Sequence, residues 1–78
     1  MRNFKPNIFK FQRKDNTLFF SCVTDEDSKY ALADQQGVII IKGDFNTEYK
    51  MSIDNLKPGY YTLTLLNANT VEQFSVTV

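Results

Sequence analysis

Few side chains in this chain can do chemistry. There is no histidine and only one cysteine. Without histidine, serine–histidine–aspartate and cysteine–histidine nucleophilic sites fall away, and most zinc sites with them. Cys22 lies in the apolar run Phe19-Phe20-Ser21-Cys22-Val23. It has no base beside it and no partner for an intramolecular disulfide. It reads as a buried thiol acting as a small hydrophobe, its pKa raised by apolar neighbours. Paired carboxylates could hydrolyse a glycosidic bond, but the acids here fall in loops and at strand ends, where charge is solvated. Asp25-Glu26-Asp27-Ser28 gathers the oxygens a hard cation takes. It lacks the glycine and spaced ligands of a dedicated calcium loop and reads as a solvated turn. Basic residues interleave with Phe4, Phe9 and Phe11, as on a single-strand nucleic-acid face; the plainer reading is an amphipathic strand with lysines out and phenylalanines in. Tyr60, beside a turn, is the candidate aromatic for stacking on a sugar. These residues imply no catalytic centre, cofactor or metal.

Such side chains need elements to hold them, and the clearest follow Leu56-Lys57-Pro58-Gly59-Tyr60-Tyr61. Pro58 pre-sets φ and Gly59 accepts positive φ, so the pair marks a turn. Beyond it Tyr61, Leu63 and Leu65 alternate with Tyr60, Thr62 and Thr64. After the polar tract Asn67-Ala68-Asn69-Thr70, Phe74, Val76 and Val78 alternate with Gln73, Ser75 and Thr77. A two-residue period gives each run one apolar face, which predicts an antiparallel hairpin. Earlier in the chain, strands are predicted over 8–12, 17–23, 29–33, 38–42 and 48–53, with polar turns between them. The 29–33 run also admits a short helix, since Ala and Leu are good helix formers, but it is too short for one to win easily. In the second strand Phe19 and Val23 oppose Leu18, Phe20 and Cys22, which predicts partial cover on both faces. Asp34-Gln35-Gln36-Gly37 is a turn ending on glycine. Val38-Ile39-Ile40-Ile41 has the strongest β propensity of the chain. The favoured reading makes it a central strand covered on both faces; the alternative is an edge that pairs with a partner chain, flanked by Lys42 and Asp44 as gatekeepers. Gly43 to Thr47 reads as a connection.

Seven short strands at these intervals predict an all-β antiparallel sandwich. The chain has 78 residues, enough for one small domain with a thin core. Residues 1–7 read as a tail and 8–78 as a single domain. Nine basic and nine acidic residues cancel, which disfavours nucleic-acid binding. No window is long and apolar enough for a membrane span. No apolar leader is present either, so a cytoplasmic location stays open beside a secreted one.

The run Ala31-Leu32-Ala33-Asp34-Gln35-Gln36-Gly37-Val38-Ile39, then Met51 to Leu63, then the closing strand from Phe74 resemble a known pattern. It is that of the C-terminal sorting domains of the Bacteroidetes type IX secretion system. The same order is similar to small immunoglobulin-like sandwich domains of secreted Bacteroidetes proteins and, more loosely, to fibronectin type III domains. The resemblance implies an immunoglobulin-like or fibronectin III-like sandwich in which Asp34 and Gly37 make a hairpin turn. Leu56, Pro58, Gly59 and Tyr61 would make the corner into the penultimate strand. It also implies a secreted or cell-surface setting. The expected function is a non-catalytic structural or interaction module with a protein partner or self-association. The alternatives are a type IX sorting domain and a small carbohydrate-binding module whose tyrosines Tyr30, Tyr49 and Tyr60 would form an exposed flat patch. The expected core is Phe9, Phe11, Leu18, Phe20, Leu32, Ile40, Met51, Ile53, Leu56, Tyr61, Leu63, Leu65, Phe74 and Val76.

Overall fold

Alternating apolar and polar residues build seven strands, named β1 (Phe9–Lys14), β2 (Thr17–Cys22), β3 (Asp27–Ala33), β4 (Ile39–Asn46), β5 (Glu48–Ser52), β6 (Tyr60–Leu66) and β7 (Val71–Thr77). They are seen in a computed structural model that describes residues 8–24, 26–68 and 70–78. The expected tail over 1–7 lies outside the described residues, as do Asp25 and Asn69. Every pairing is antiparallel, in a three-stranded sheet of order β1-β2-β5 and a four-stranded sheet of order β4-β3-β6-β7. This is an immunoglobulin-like β-sandwich in which the fourth strand joins β3 rather than β5. Residues 29–33 lie within β3, so the short helix does not form.

The inner faces follow from strand parity. Leu18, Phe20 and Cys22 of β2 meet Tyr30 and Leu32 of β3 and Leu63 and Leu65 of β6 in one core. Leu18, Leu32, Ile53, Leu63 and Leu65 are fully buried, each such side chain contributing about 2 kcal/mol of transfer free energy. Aromatic pairs close both open sides of the sandwich. On one side Phe11 of β1 stacks on Phe74 of β7 at 4.9 Å, with Arg13 Nη1 donating to the Thr77 carbonyl. On the other, Tyr49 of β5 stacks on Tyr30 of β3 at 4.8 Å.

Turn chemistry sets the hairpins. Gly37 N–H donates to Asp34 O at 2.9 Å and Asp34 N–H to Val38 O at 2.9 Å, a three-residue loop ending on Gly37 at φ +85. The Asp34 carboxylate accepts from the Gln36 and Val38 amides at 2.9 and 3.0 Å. Gly59 lies at φ +156, a region open essentially to glycine alone, and exchanges both backbone bonds with Val78 at 3.0 and 2.8 Å. Leu56 is half-buried against the core, and its N–H donates to Ile53 O at 3.2 Å; Pro58 is exposed. Tyr61 Oη donates to Lys57 O at 2.6 Å, the tyrosine corner of this fold. Between β4 and β5 the chain changes sheets through Thr47 at φ +76, where a β-branched side chain is strained.

Four expectations are corrected. The Val38–Ile41 stretch is not a central strand: β4 is an edge, and Val38 and Ile39 are more than half exposed. Ile40 is not core but 41% exposed. β propensity marks a strand but not its place in a sheet; Ile40 lies on the outward parity of Lys42 and Asp44, next to inward Ile41, and a register shift opposite Leu32/Ala33 sets Ile39 against outward Ala33 as well. Of the connection expected over Gly43 to Thr47, Gly43 to Asn46 are instead the second half of β4, which brings Phe45 into the core beside Phe9 and Phe20. Val23, expected to help cover β2, is 55% exposed.

Candidate functional site

The outer faces of the two sheets differ in charge. On the three-stranded sheet, Lys10, Ser21 and Glu48 form one cross-strand row and Gln12, Phe19 and Lys50 the next. These six side chains line an open depression of about 960 Å³ with half-buried Phe19 at its centre. Lysines out and Phe9 and Phe11 in is the arrangement of β1. On the four-stranded sheet the central rows are Ala33, Thr62 and Ser75, and Ala31, Thr64 and Gln73. They carry no charge. Charged side chains gather instead on β4 and its neighbour, where Lys29 Nζ and Asp44 Oδ1 form an exposed ion pair at 2.8 Å.

Four strands are sheet edges: β1, β5, β4 and β7. Charge interrupts β1 through Lys10, Arg13 and Lys14 and β5 through Glu48 and Lys50; β7 carries Glu72 and is tied to β1 by Arg13. β4 is different. Its first half offers Ile39 and Ile40 to solvent beside the preceding Val38, with Ile41 half-buried, and its second half alternates Lys42, Gly43, Asp44 and Phe45. An open edge with exposed β-branched residues is what strand-adding partners recognise. The sequence singles out Val38 to Ile41 and predicts a strand as far as Lys42, but sequence reasoning missed the continuation over Gly43 to Asn46. The available signal was parity, since Ile41, Gly43 and Phe45 continue one inward face.

The remaining candidates are dispersed. Tyr60 is 68% exposed on the neutral outer face. Tyr30 is buried and Tyr49 packs on it between the sheets, so the three tyrosines form no common flat patch. A hydrogen bond from Tyr30 to Tyr49, then burial, then the charges of Tyr49 and Asp44 push the Tyr30 hydroxyl up to about 12. Cys22 is buried, as expected, but its thiol is lowered rather than raised. Burial is the largest single influence and acts upward; hydrogen bonds from Thr24, Ser28 and Asn67 together outweigh it. Of the expected solvated turn, Asp27 and Ser28 instead open β3, with Ser28 buried; Asp27 Oδ1 accepts from Asn46 Nδ2 at 2.8 Å, and Ser28 Oγ donates to Glu26 O at 3.2 Å. No cluster of three metal-ligating side chains occurs among the described residues, nor any helix long and apolar enough to cross a membrane.

No protein-family model matches the chain, and no curated protein matches it in sequence. The fold does have a solved counterpart, a DUF3244-family protein from Bacteroides vulgatus ATCC 8482, described as having an immunoglobulin-like β-sandwich fold. The likeness has a TM-score of 0.75 at 14% sequence identity and covers 88% of this chain and 83% of that one. At that identity it establishes the architecture.

Proposed function

We propose that the chain is a non-catalytic interaction module of a secreted or cell-surface bacterial protein, and that it meets a protein partner along β4 and the neutral face beside it. One observation carries this reading. The open edge of the four-stranded sheet presents Val38, Ile39 and Ile40 to solvent and adjoins an uncharged outer face of small residues. Exposed apolar surface bounded by polar residues marks interaction sites. The bacterial setting is supported by the structural likeness to the Bacteroides protein and by the resemblance of the turn pattern to secreted sandwich domains. A photo-reactive residue at Ile39, and separately at Lys10 on the opposite sheet, tests the reading in cells that make the protein. Protein adducts at Ile39 and none at Lys10 are expected. Adducts at neither, or only at Lys10, would refute it.

A second reading, a small carbohydrate-binding module, is favoured by Phe19 rather than Tyr60. An aromatic ring at the centre of a depression rimmed by Gln12, Ser21, Glu48 and two lysines has the parts a sugar ring needs, an apolar face with hydroxyl partners around it. Calorimetric titration against an oligosaccharide panel, with Phe19→Ala as control, decides it; absence of heat for every sugar rejects it.

A further inference from the structure

We infer that β4 is self-complementary and pairs with β4 of a second copy, antiparallel about a two-fold axis at Gly43, to join two four-stranded sheets into one. The inference rests on the interaction reading above and names its partner.

The direction of the free backbone groups follows from alternation. Gly59 and Val78 exchange both of their bonds, so Tyr61, Leu63 and Leu65 of β6 bond to β7, and Thr62, Thr64 and Leu66 bond to β3. Lys29, Ala31 and Ala33 of β3 are thereby used by β6. Ser28, Tyr30 and Leu32 are left to bond Phe45, Gly43 and Ile41 of β4. The peptide groups of Lys42, Asp44 and Asn46 then point away from the sheet.

Side chains select the register. Opposed residues on paired strands share a face, so an outward residue must meet an outward residue. An axis at Lys42 would set Lys42 against its own copy, a destabilising like-charge pair. An axis at Ile41 would leave Lys42 facing Ile40 and Asp44 facing Val38. The axis at Gly43 sets Lys42 against Asp44 of the second copy, and Asp44 against its Lys42. It sets Ile41 against Phe45 on the inner face, apolar to apolar, and Ile40 against Asn46. Gly43 meets Gly43, the residue with no side chain to clash where the strands cross the axis. Asp44 already holds Lys29 on the solvent side, so it would lie between two lysines, and the outer face would gain a ladder of alternating charge. The chain's net charge of zero leaves no long-range repulsion between copies. The irregularity at Ile39 and Ile40 sits at one end and leaves Ile41 to Asn46 regular. Pairing of this length buries less than the roughly 800 Å² per partner of a stable complex, so the dimer forms at high protein concentration.

The register has a direct test. In a Cys22→Ala background, chains carrying Lys42→Cys and chains carrying Asp44→Cys are oxidised separately and as a mixture. Opposed α-carbons lie about 5.5 Å apart in a hydrogen-bonded pair, within disulfide reach. The same position on the two copies is about 8.5 Å apart, outside it. The mixed dimer also keeps its other Lys42–Asp44 contact intact. A covalent dimer in the mixture and little in either chain alone is expected; equal or no cross-linking in all three overturns the pairing. Sedimentation equilibrium on the otherwise unaltered protein supplies the independent measurement. The chain should associate as concentration rises, and Lys42→Asp should weaken that association roughly tenfold, the change a ~1.4 kcal/mol loss produces. A monomer at every concentration refutes self-pairing. Photo-adducts at Ile39 with some other protein, beside failed cross-linking, would sink the self-pairing and leave the interaction reading standing.

Discussion

Gly43→Ala should destabilise the fold although the residue lies on an edge strand, and the reason is Tyr30. A Cβ at position 43 would sit 2.6 Å from Tyr30 Oη, 2.8 Å from Cζ and 3.0 Å from Cε2. Ordinary carbon contacts need about 3.5–4.0 Å, so the ring must withdraw by roughly 1 Å. It has little room to do so, being stacked on Tyr49 at 4.8 Å and packed 5.5 Å from Phe20 and 6.3 Å from Phe45. Overpacking of this kind costs about 1–3 kcal/mol, against which replacing glycine in a strand returns about 0.5–1 kcal/mol. A net loss of about 1–2 kcal/mol is expected, a fall in melting temperature of roughly 5–15 °C for a domain of this size. Urea and thermal unfolding at low protein concentration, followed by tyrosine fluorescence, measure it, the chain having no tryptophan. Tyr30→Leu removes the three offending atoms. In that background Gly43→Ala should be neutral or stabilising. If the two substitutions are additive, or Gly43→Ala alone is neutral, the close approach of Tyr30 to the β4 backbone is not what requires glycine there.

Three further outcomes follow from the geometry. The fold favours the neutral Tyr30 hydroxyl, raised from 10.0 to about 12. Its contribution is therefore complete below pH 10 and is lost as pH rises toward 12; Tyr49→Phe should flatten that loss and bring the Tyr30 titration down in tyrosinate absorbance. Thr47→Gly should raise stability by about 0.5–1 kcal/mol, because relief of a β-branched residue at φ +76 exceeds the entropic cost of glycine; a destabilised variant in chemical denaturation would contradict this. Tyr61→Phe removes the 2.6 Å bond to Lys57 O and should cost about 0.5–1.5 kcal/mol, read as a lower denaturation midpoint at unchanged slope, whereas Tyr60→Phe should leave the midpoint unmoved.

The sandwich was legible in the sequence because strand period and turn chemistry are local. Leu18 and Phe20, Met51 and Ile53, and Leu63 and Leu65 each declare an inner face two residues at a time, and all six are buried. Asp34 and Gly37, and Pro58 and Gly59, mark their turns through their own conformational preferences. What a strand lies beside is a different kind of fact. Nothing in Val38-Ile39-Ile40-Ile41 says whether one neighbour or two will pair with it, since β-branched residues suit a central and an edge strand alike. The assignment of β4 to the edge depends on β6 taking the other side of β3, which is set by residues some thirty positions away. The register shift opposite Ala33 then sets Ile39 outward like Ile40. The glycine at 43 reads locally as a break; pairing with Tyr30 of β3 makes it part of a strand, and the tyrosine ring lying across it leaves no room for a side chain. Local sequence thus determined the elements and their apolar faces, while tertiary pairing decided which edge stays open, because burial and hydrogen bonding of a strand depend on the chain that arrives next to it.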